Sequence, residues 1–345
     1  MTWRMPAETG PHERTWMAWP SSGYTLGDTP AAAEEAWTAW AAVANAVAEY
    51  ESLTMLVTPE MIGQARRRLA GSVTLLPCAL DDAWYRDTGP TFVLDEDGHL
   101  GAVNWTFNGW GAQEWACWES DALASGVATA ATAAVRIDSR LVNEGGGIHT
   151  DGAGTFLVTT TVQLDPGRNP GWSPAAVEAE LARTVGAEKV IWLPRGLTRD
   201  SDTYGTRGHV DLLATFSAPG RVLVHDQRDP SHPDHAVSAE LIARLGAATD
   251  ASGRRLDVTP LPAPATLRDA HGFVDHSYVN HFALNGAVVV GVFDDANDAA
   301  ALEILADAYP GREIVPVDAR PLFARGGGVH CITQQQPRSR TEEKP

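Results

Sequence analysis

One cysteine, one histidine and three carboxylates hold the chemistry that this chain of 345 residues offers. Cys331 follows Gly326-Gly327-Gly328-Val329-His330. A glycine run at that place lets backbone approach a ligand closely and take dihedrals closed to other residues. A thiolate nucleophile needs a proton carrier, and His209, in Gly208-His209-Val210-Asp211, has the right chemistry for general acid and base. Asp87, Glu144 and Asp211 remain. A cysteine hydrolase of neutral amides has no use for carboxylates beside its electrophile. A planar cation does, because carboxylates pair bidentately with a guanidinium. The set points to cleavage of a guanidine. Each residue also has a plainer reading: a lone cysteine is usually core, Gly-His can be a turn, and Glu144-Gly145-Gly146-Gly147 can be a loop.

What favours a shared site is the spacing. Polar breaks at Asp87, Glu144, His209, Asp275 and Cys331 fall 57, 65, 66 and 56 residues apart. A near-regular period of this size is the mark of internal repetition. If five such units close around an axis, their equivalent loops meet there.

The elements between the breaks fit that plan. Trp37, Trp40, Val43, Ala44 and Val47 recur at helical spacing and predict a helix over 31–50. Further helices are expected over 61–69, 119–134, 234–245 and 297–308. Another is expected after Ser173-Pro174, with proline at its first position. Strands are expected over 53–58, 73–76, 91–94, 100–107, 155–162, 190–193, 210–216, 221–225, 277–284, 287–292, 313–317 and 329–333. Strand pair, helix and strand therefore recur. The tail over 338–345 is polar and expected to be disordered.

Composition narrows the partners. Lys plus Arg number 26 against 44 Asp plus Glu, a net charge of −18 with pI near 4.9. That excludes a phosphate-backbone partner, which needs clustered bases, and no nucleic acid is expected. An acidic surface attracts small cations. No apolar run is long enough to span a membrane, and the first residues lack the apolar core of a signal peptide. Three cysteines without a CxxC fit a reducing cytoplasm. The 12 tryptophans are core formers that also make flat walls for cations. His225, His232 and His235 lie near several aspartates, but no known ligand spacing appears, and no metal is expected.

At these motifs the chain resembles the agmatine deiminase family, in the wider group that includes bacterial peptidyl-arginine deiminases. Met5-Pro6-Ala7-Glu8 with Pro11-His12-Glu13-Arg14-Thr15-Trp16 is similar to the family's opening. Trp84-Tyr85-Arg86-Asp87-Thr88-Gly89-Pro90-Thr91, Phe107-Asn108-Gly109-Trp110-Gly111, Asn143-Glu144-Gly145-Gly146-Gly147-Ile148-His149 and Gly208-His209-Val210-Asp211 match its later motifs. His330-Cys331-Ile332-Thr333-Gln334-Gln335-Gln336-Pro337 matches its terminal one, the most specific of the set. The resemblance covers nearly the whole chain. It implies a five-bladed α/β propeller of ββαβ units (the pentein fold of guanidine-modifying enzymes) in a single catalytic domain over 1–337. It implies hydrolysis of agmatine to N-carbamoylputrescine and ammonia in putrescine biosynthesis, without metal or organic cofactor. A homodimer is also implied.

Roles follow from the same resemblance. Cys331 is the expected nucleophile, passing through an amidino-cysteine intermediate. Asp87 and Asp211 hold the guanidinium nitrogens. His209 protonates the departing ammonia and then activates water, and Glu144 orients it or adds a contact to the cation. Trp84 walls the substrate, and Gly327 and Gly328 let backbone line the pocket. Three positions depart from the pattern. Gly205 stands where many relatives carry an acid that serves the distal amine, Arg207 stands at an Asn, and Gly328 replaces another. An arginine near the distal end welcomes a carboxylate, so free arginine or a C-terminal peptidyl arginine is an alternative substrate. Asp200 and Asp202 serve the amine if their loop folds inward. An amidinotransferase, or a propeller that binds guanidine without turnover, is the remaining alternative.

Overall fold

Antiparallel neighbours can be joined by a tight turn, whereas parallel neighbours need a crossover, usually helical. This chain uses both connections in each unit. The computed structural model describes residues 2–340. Four three-stranded sheets share one plan. Their strands are Thr91–Leu94, Leu100–Thr106 and Val135–Val142, then Ile148–Thr150, Thr155–Thr159 and Lys189–Leu193. Ala214–Ala218, Arg221–Asp226 and Asp257–Pro262 form the third, and Phe282–Leu284, Ala287–Val292 and Glu313–Asp318 the fourth. In each, the first two strands are antiparallel and the last two parallel. Helices Asp121–Thr132, Pro174–Val185, Asp234–Ala247 and Asp298–Ala308 make the four crossovers.

The fifth sheet closes the ring. Its order is Gln334–Pro337, His12–Ala18, Leu53–Val57, Thr74–Pro77, so the C-terminal strand pairs antiparallel with the N-terminal one. The register sets Trp16 opposite Gln334 and His12 opposite Pro337. Helix Pro30–Ala48 makes its first crossover, with Pro30 at the first position and the Thr29 hydroxyl accepting from the Ala32 amide. Strand Leu53–Val57 is buried throughout, as a strand covered on both faces must be. The recurring strand pair, helix and strand of the sequence are the pentein plan.

The differences from expectation share a cause. The strands expected over 210–216 and 277–284 begin later, after tight turns, and 329–333 holds no strand at all, the last strand starting at Gln334. Val210–Leu212 and His330–Ile332 are 3-10 turns, and residues 278–280 are a turn. Val210, Val279 and Ile332 are buried there, so the apolar run is genuine. The run packs around the centre instead of joining a ladder. The same short turn precedes the first strand of the other two sheets as Tyr85–Thr88 and Gly145–Gly147. All five units therefore end inward on one turn, and the chemistry sits on those turns. Strand 155–162 also stops early, at Thr159, where its hydroxyl donates to the Gly208 carbonyl.

Among the described residues no helix is long and apolar enough to cross a membrane. The tail begins in place: the Arg338 and Arg340 amides donate to the Pro11 and Gly98 carbonyls. Residues 341–345, the rest of the segment expected to be disordered, lie outside the described residues.

Candidate active site

Each inner turn delivers one or two polar side chains to the centre. The turn at Tyr85–Thr88 brings Asp87, buried, with one oxygen accepting from Trp110 Nε1 at 2.8 Å and the other from the Gly146 amide at 3.1 Å. Glu144 caps the turn Gly145–Gly147, and Arg168 Nε reaches its two oxygens at 2.9 and 3.1 Å. His209 caps Val210–Leu212, and its Nε2 lies 3.1 Å from Glu144 Oε2. Its other nitrogen, Nδ1, is buried without a hydrogen-bond partner, 3.8 Å from Asp87. Asp211 faces it with Oδ1 likewise unpartnered and Oδ2 held by His330 Nδ1 at 2.8 Å. Cys331 lies on the last turn, its Sγ 3.5 Å from Asp211 Oδ2 and 3.2 Å from the amide nitrogen of Asn280.

Gly146 explains why these groups can approach one another. A Cβ there would lie 2.5 Å from His209 Nδ1 and 3.0 Å from both Asp87 and Asp211. Gly327 is similar: its Cβ would fall 2.6 Å from the Trp84 ring and 3.1 Å from the Cys331 sulfur. A Cβ at Gly328 would meet Asn280 Oδ1 at 2.4 Å. The glycines of both motifs thus mark close approach rather than loop flexibility.

The electrostatics suit a cation. Burial pushes the Asp87 carboxyl up to about 6, with Glu144 and Asp211 adding to this and His209 opposing it. Burial works against a charged His209. Asp87, Glu144 and Asp211 outweigh it and lift the imidazole to about 9, so it carries a proton at neutral pH. Burial likewise opposes charge on Glu144, but Arg168 and His209 hold it near 2. Burial drives the Cys331 thiol well up, and Asp211 and Asp87 push the same way, while Asn280 and the Gly328 amide favour the thiolate. A cation placed between the two aspartates would reverse their effect on the sulfur.

A small cavity opens from Cys331, with Asp87 and Trp84 at its base and Trp110, Trp115 and Tyr204 as its walls. Trp84 is locked from behind by the edge of Trp40, ring centroids 5.4 Å apart. Arg325 lines it too, but its donors go to Glu35 and to the carbonyls of Thr25, Ala32 and Pro321.

The structure brings together Cys331, His209, Glu144, Asp87, Asp211, Trp84, Gly327 and Gly328. It sets Arg207 apart. That guanidinium lies 3.5 Å from Asp165 and lines a neighbouring cavity with it, on a left-handed backbone at φ 70°. Asp200 is no amine site: its carboxylate takes the Thr206, Gly208 and His209 amides and so builds the loop that carries His209. Cys117 is exposed, not core or pocket wall. His225, His232 and His235 are spent on Ser277, Val274 and Gln227.

Four contributors escape the sequence reading of site residues. Trp110 and His330 lay inside quoted motifs, so the signal was there. His330 bridges Asp211 to Glu8, 2.9 Å from Nε2, and Glu8 also takes the Ala283 amide and Arg86. Asn280 and Arg168 stand in stretches with no motif.

Comparison with known proteins agrees with this geometry. A Streptomyces coelicolor protein provisionally named an agmatine deiminase is 54% identical over 341 residues, 98% of this chain and 100% of its own. The agmatine deiminase of Pseudomonas aeruginosa is 38% identical over 362 residues, 98% of this chain and 96% of its own. A solved structure described as agmatine deiminase of Enterococcus faecalis catalyzing its reaction matches with TM-score 0.91 and 33% identity, over 98% of this chain and 96% of that one. Residues 4–337 match the Porphyromonas-type peptidyl-arginine deiminase family as a whole, and the chain belongs to that family.

Proposed function

We propose that this chain is an agmatine deiminase, hydrolysing agmatine to N-carbamoylputrescine and ammonia. One observation carries the reading. Asp211 Oδ1 is buried and unpartnered on a carboxylate whose other oxygen lies 3.5 Å from the Cys331 sulfur, and Asp87 lines the same cavity as that sulfur. Buried polar atoms without partners cost free energy unless a ligand satisfies them. A flat cation with hydrogens on several edges fits both carboxylates and brings its carbon to the sulfur.

The reaction then runs in two halves. The bound guanidinium favours loss of the Cys331 proton to solvent, and the thiolate attacks the central carbon. The proton on His209 passes to one amino nitrogen, and ammonia leaves. This gives an amidino-cysteine, a thiouronium cation that Asp87 and Asp211 still balance. Neutral His209 next takes a proton from water as its oxygen adds to the same carbon. The C–S bond breaks, the added hydroxyl gives up its remaining proton to the released ammonia or solvent as the ureido C=O forms, and the thiolate and protonated His209 are restored. Glu144, fixed by Arg168, holds the imidazole in one orientation through both proton transfers.

The alternative of a carboxylate-bearing substrate finds less support. Arg325 within the cavity is paired with Glu35 and spends further donors on three carbonyls, and Arg207 lies outside the cavity, so neither offers a carboxylate a free guanidinium.

The test is ammonia release from agmatine, arginine and a peptide ending in arginine, measured side by side without any amine acceptor. Ammonia and a ureido product from agmatine alone are expected. Activity confined to the carboxylate-bearing compounds overturns the substrate. Turnover that needs an added amine makes the protein a transferase instead.

A further inference from the structure

The guanidinium end of the cavity is furnished with carboxylates, but the other end is not. Asp87 is the acidic side chain of this cavity, and the guanidinium uses it. Gly205 adds no side chain, and its carbonyl takes Gln113 Nε2 at 2.7 Å. Asp275 lines an outer cavity shared with Tyr204, and Asp202 lines that cavity and another shared with Trp115, but neither lines the cavity at Cys331. An alkylammonium reaching outward from Cys331 therefore meets rings, not acids.

Those rings form a built wall. Trp110, anchored on Asp87, stacks on Trp115 with centroids 5.4 Å apart and planes 12° from parallel. Trp115 Nε1 is fixed by Gln113 at 3.1 Å. Tyr204 meets Trp115 edgewise at 5.2 Å and stacks on Tyr24 at 4.3 Å. Tyr204 holds a left-handed backbone, φ 72°, which a bulky side chain seldom adopts. Strain of that kind persists only where the surroundings impose it. Tyr204, stacked on Tyr24, remains about two-fifths exposed, which leaves ring surface in the cavity.

We propose that Trp115 and Tyr204 receive the distal ammonium of the substrate by cation–π attraction, in the role a carboxylate would otherwise fill. This rests on the agmatine reading above. The ring faces carry negative potential, and the ammonium gains by leaving water for them. The wall also selects: a carboxylate at that end gains nothing from the rings, and a neutral tail gains only burial.

The experiment compares agmatine with pentylguanidine, which puts a methyl where agmatine has its ammonium. Wild type is expected to prefer agmatine. Trp115→Leu and Tyr204→Leu should each lower agmatine kcat/KM by about tenfold, the scale of a partly desolvated cation–π contact. Pentylguanidine should change little, Tyr204→Phe should keep wild-type behaviour, and Asp202→Asn and Asp275→Asn should leave the preference intact. An equal loss for both guanidines in the leucine variants, or loss of the preference in either asparagine variant, overturns the proposal. Calorimetric titration of Cys331→Ser with both compounds separates this claim from the reaction itself. Agmatine bound but never hydrolysed by wild type, with ring-dependent preference over pentylguanidine, would overturn the deiminase reading and uphold the aromatic site. Failure of Cys331→Ser to prefer agmatine would overturn the aromatic site even where wild type turns agmatine over.

Discussion

At the scale of single residues, Cys331 sits in conflict with its surroundings until a cation arrives. Burial and two carboxylates keep it a thiol. A cationic haloacetamidine should therefore alkylate it far faster than neutral iodoacetamide does, and faster than it alkylates free cysteine. Equal rates for the two reagents would remove the substrate-assisted step. Cys331→Ser should release no ammonia while keeping the folded state. The pH profile follows from the neighbours. Asp87 must be ionised to hold the cation, and burial lifts its carboxyl to about 6, so kcat/KM rises with pH through about 6. His209 must start protonated, and its proton is lost near 9, so kcat/KM falls above about 9. A profile that keeps rising beyond pH 9 would place control in the thiol instead. Gly146→Ala puts a methyl 2.5 Å from His209 Nδ1. It should cost about 100-fold or more in kcat, the penalty of a misplaced catalytic group, with little change in Tm.

At the scale of elements, the unit that matters is the short turn ahead of each first strand. Side chains from other units hold these turns in place. Asn280 accepts from the His330 amide and donates to Cys331. Arg86 donates to the His330 carbonyl and to Gln335. Glu8 ties the N-terminal segment to Arg86, to His330 and to the strand at Ala283. Its carboxyl is buried, yet His330 and Arg86 hold it well below the usual range. Glu8→Ala leaves two buried cationic groups unbalanced and should cost about 3–5 kcal/mol of stability. Urea denaturation checks this, and a loss under about 1 kcal/mol would show the network to be dispensable. These turns are also where strand forecasts ran too far. Val210, Leu212, Val279 and Ile332 carry the apolar pattern of a strand, and a local pattern does not tell burial in a ladder from burial at a hub.

At the scale of the whole molecule, the ring is closed by the last strand. Gln334–Pro337 pairs with His12–Ala18, Gln336 takes Trp16 Nε1, and Gln334 reaches the Pro90 carbonyl. Removing residues 334–345 strips that pairing from an otherwise intact chain. The shortened protein should lose its cooperative thermal transition as well as its activity, though Cys331 itself is kept. A sharp transition within a few degrees of the full chain would show that closure is not needed for the fold.

The sequence by itself determined which residues are proposed to react. Cys331, His209, Glu144, Asp87 and Asp211 were identifiable because a nucleophile, a proton carrier and a cation's counter-charges must be those residue types, and because the period placed them on equivalent loops. It also determined the repeat of strand pair, helix and strand, since that pattern is written in local periodicity. Tertiary structure alone decided the rest. Arg207 looked like a substrate contact by its closeness to His209 in the chain. On its left-handed backbone it lies against Asp165 instead. Asn280 and Arg168 come from distant stretches with no motif to announce them, and Glu8, though inside the opening motif, carries no local sign of what it binds. They matter only because ring closure carries the turns of all five units to one point. Which side chain braces another across a gap of up to 322 residues, as His330 does with Glu8, is a property of where the chain returns, and no local pattern records it.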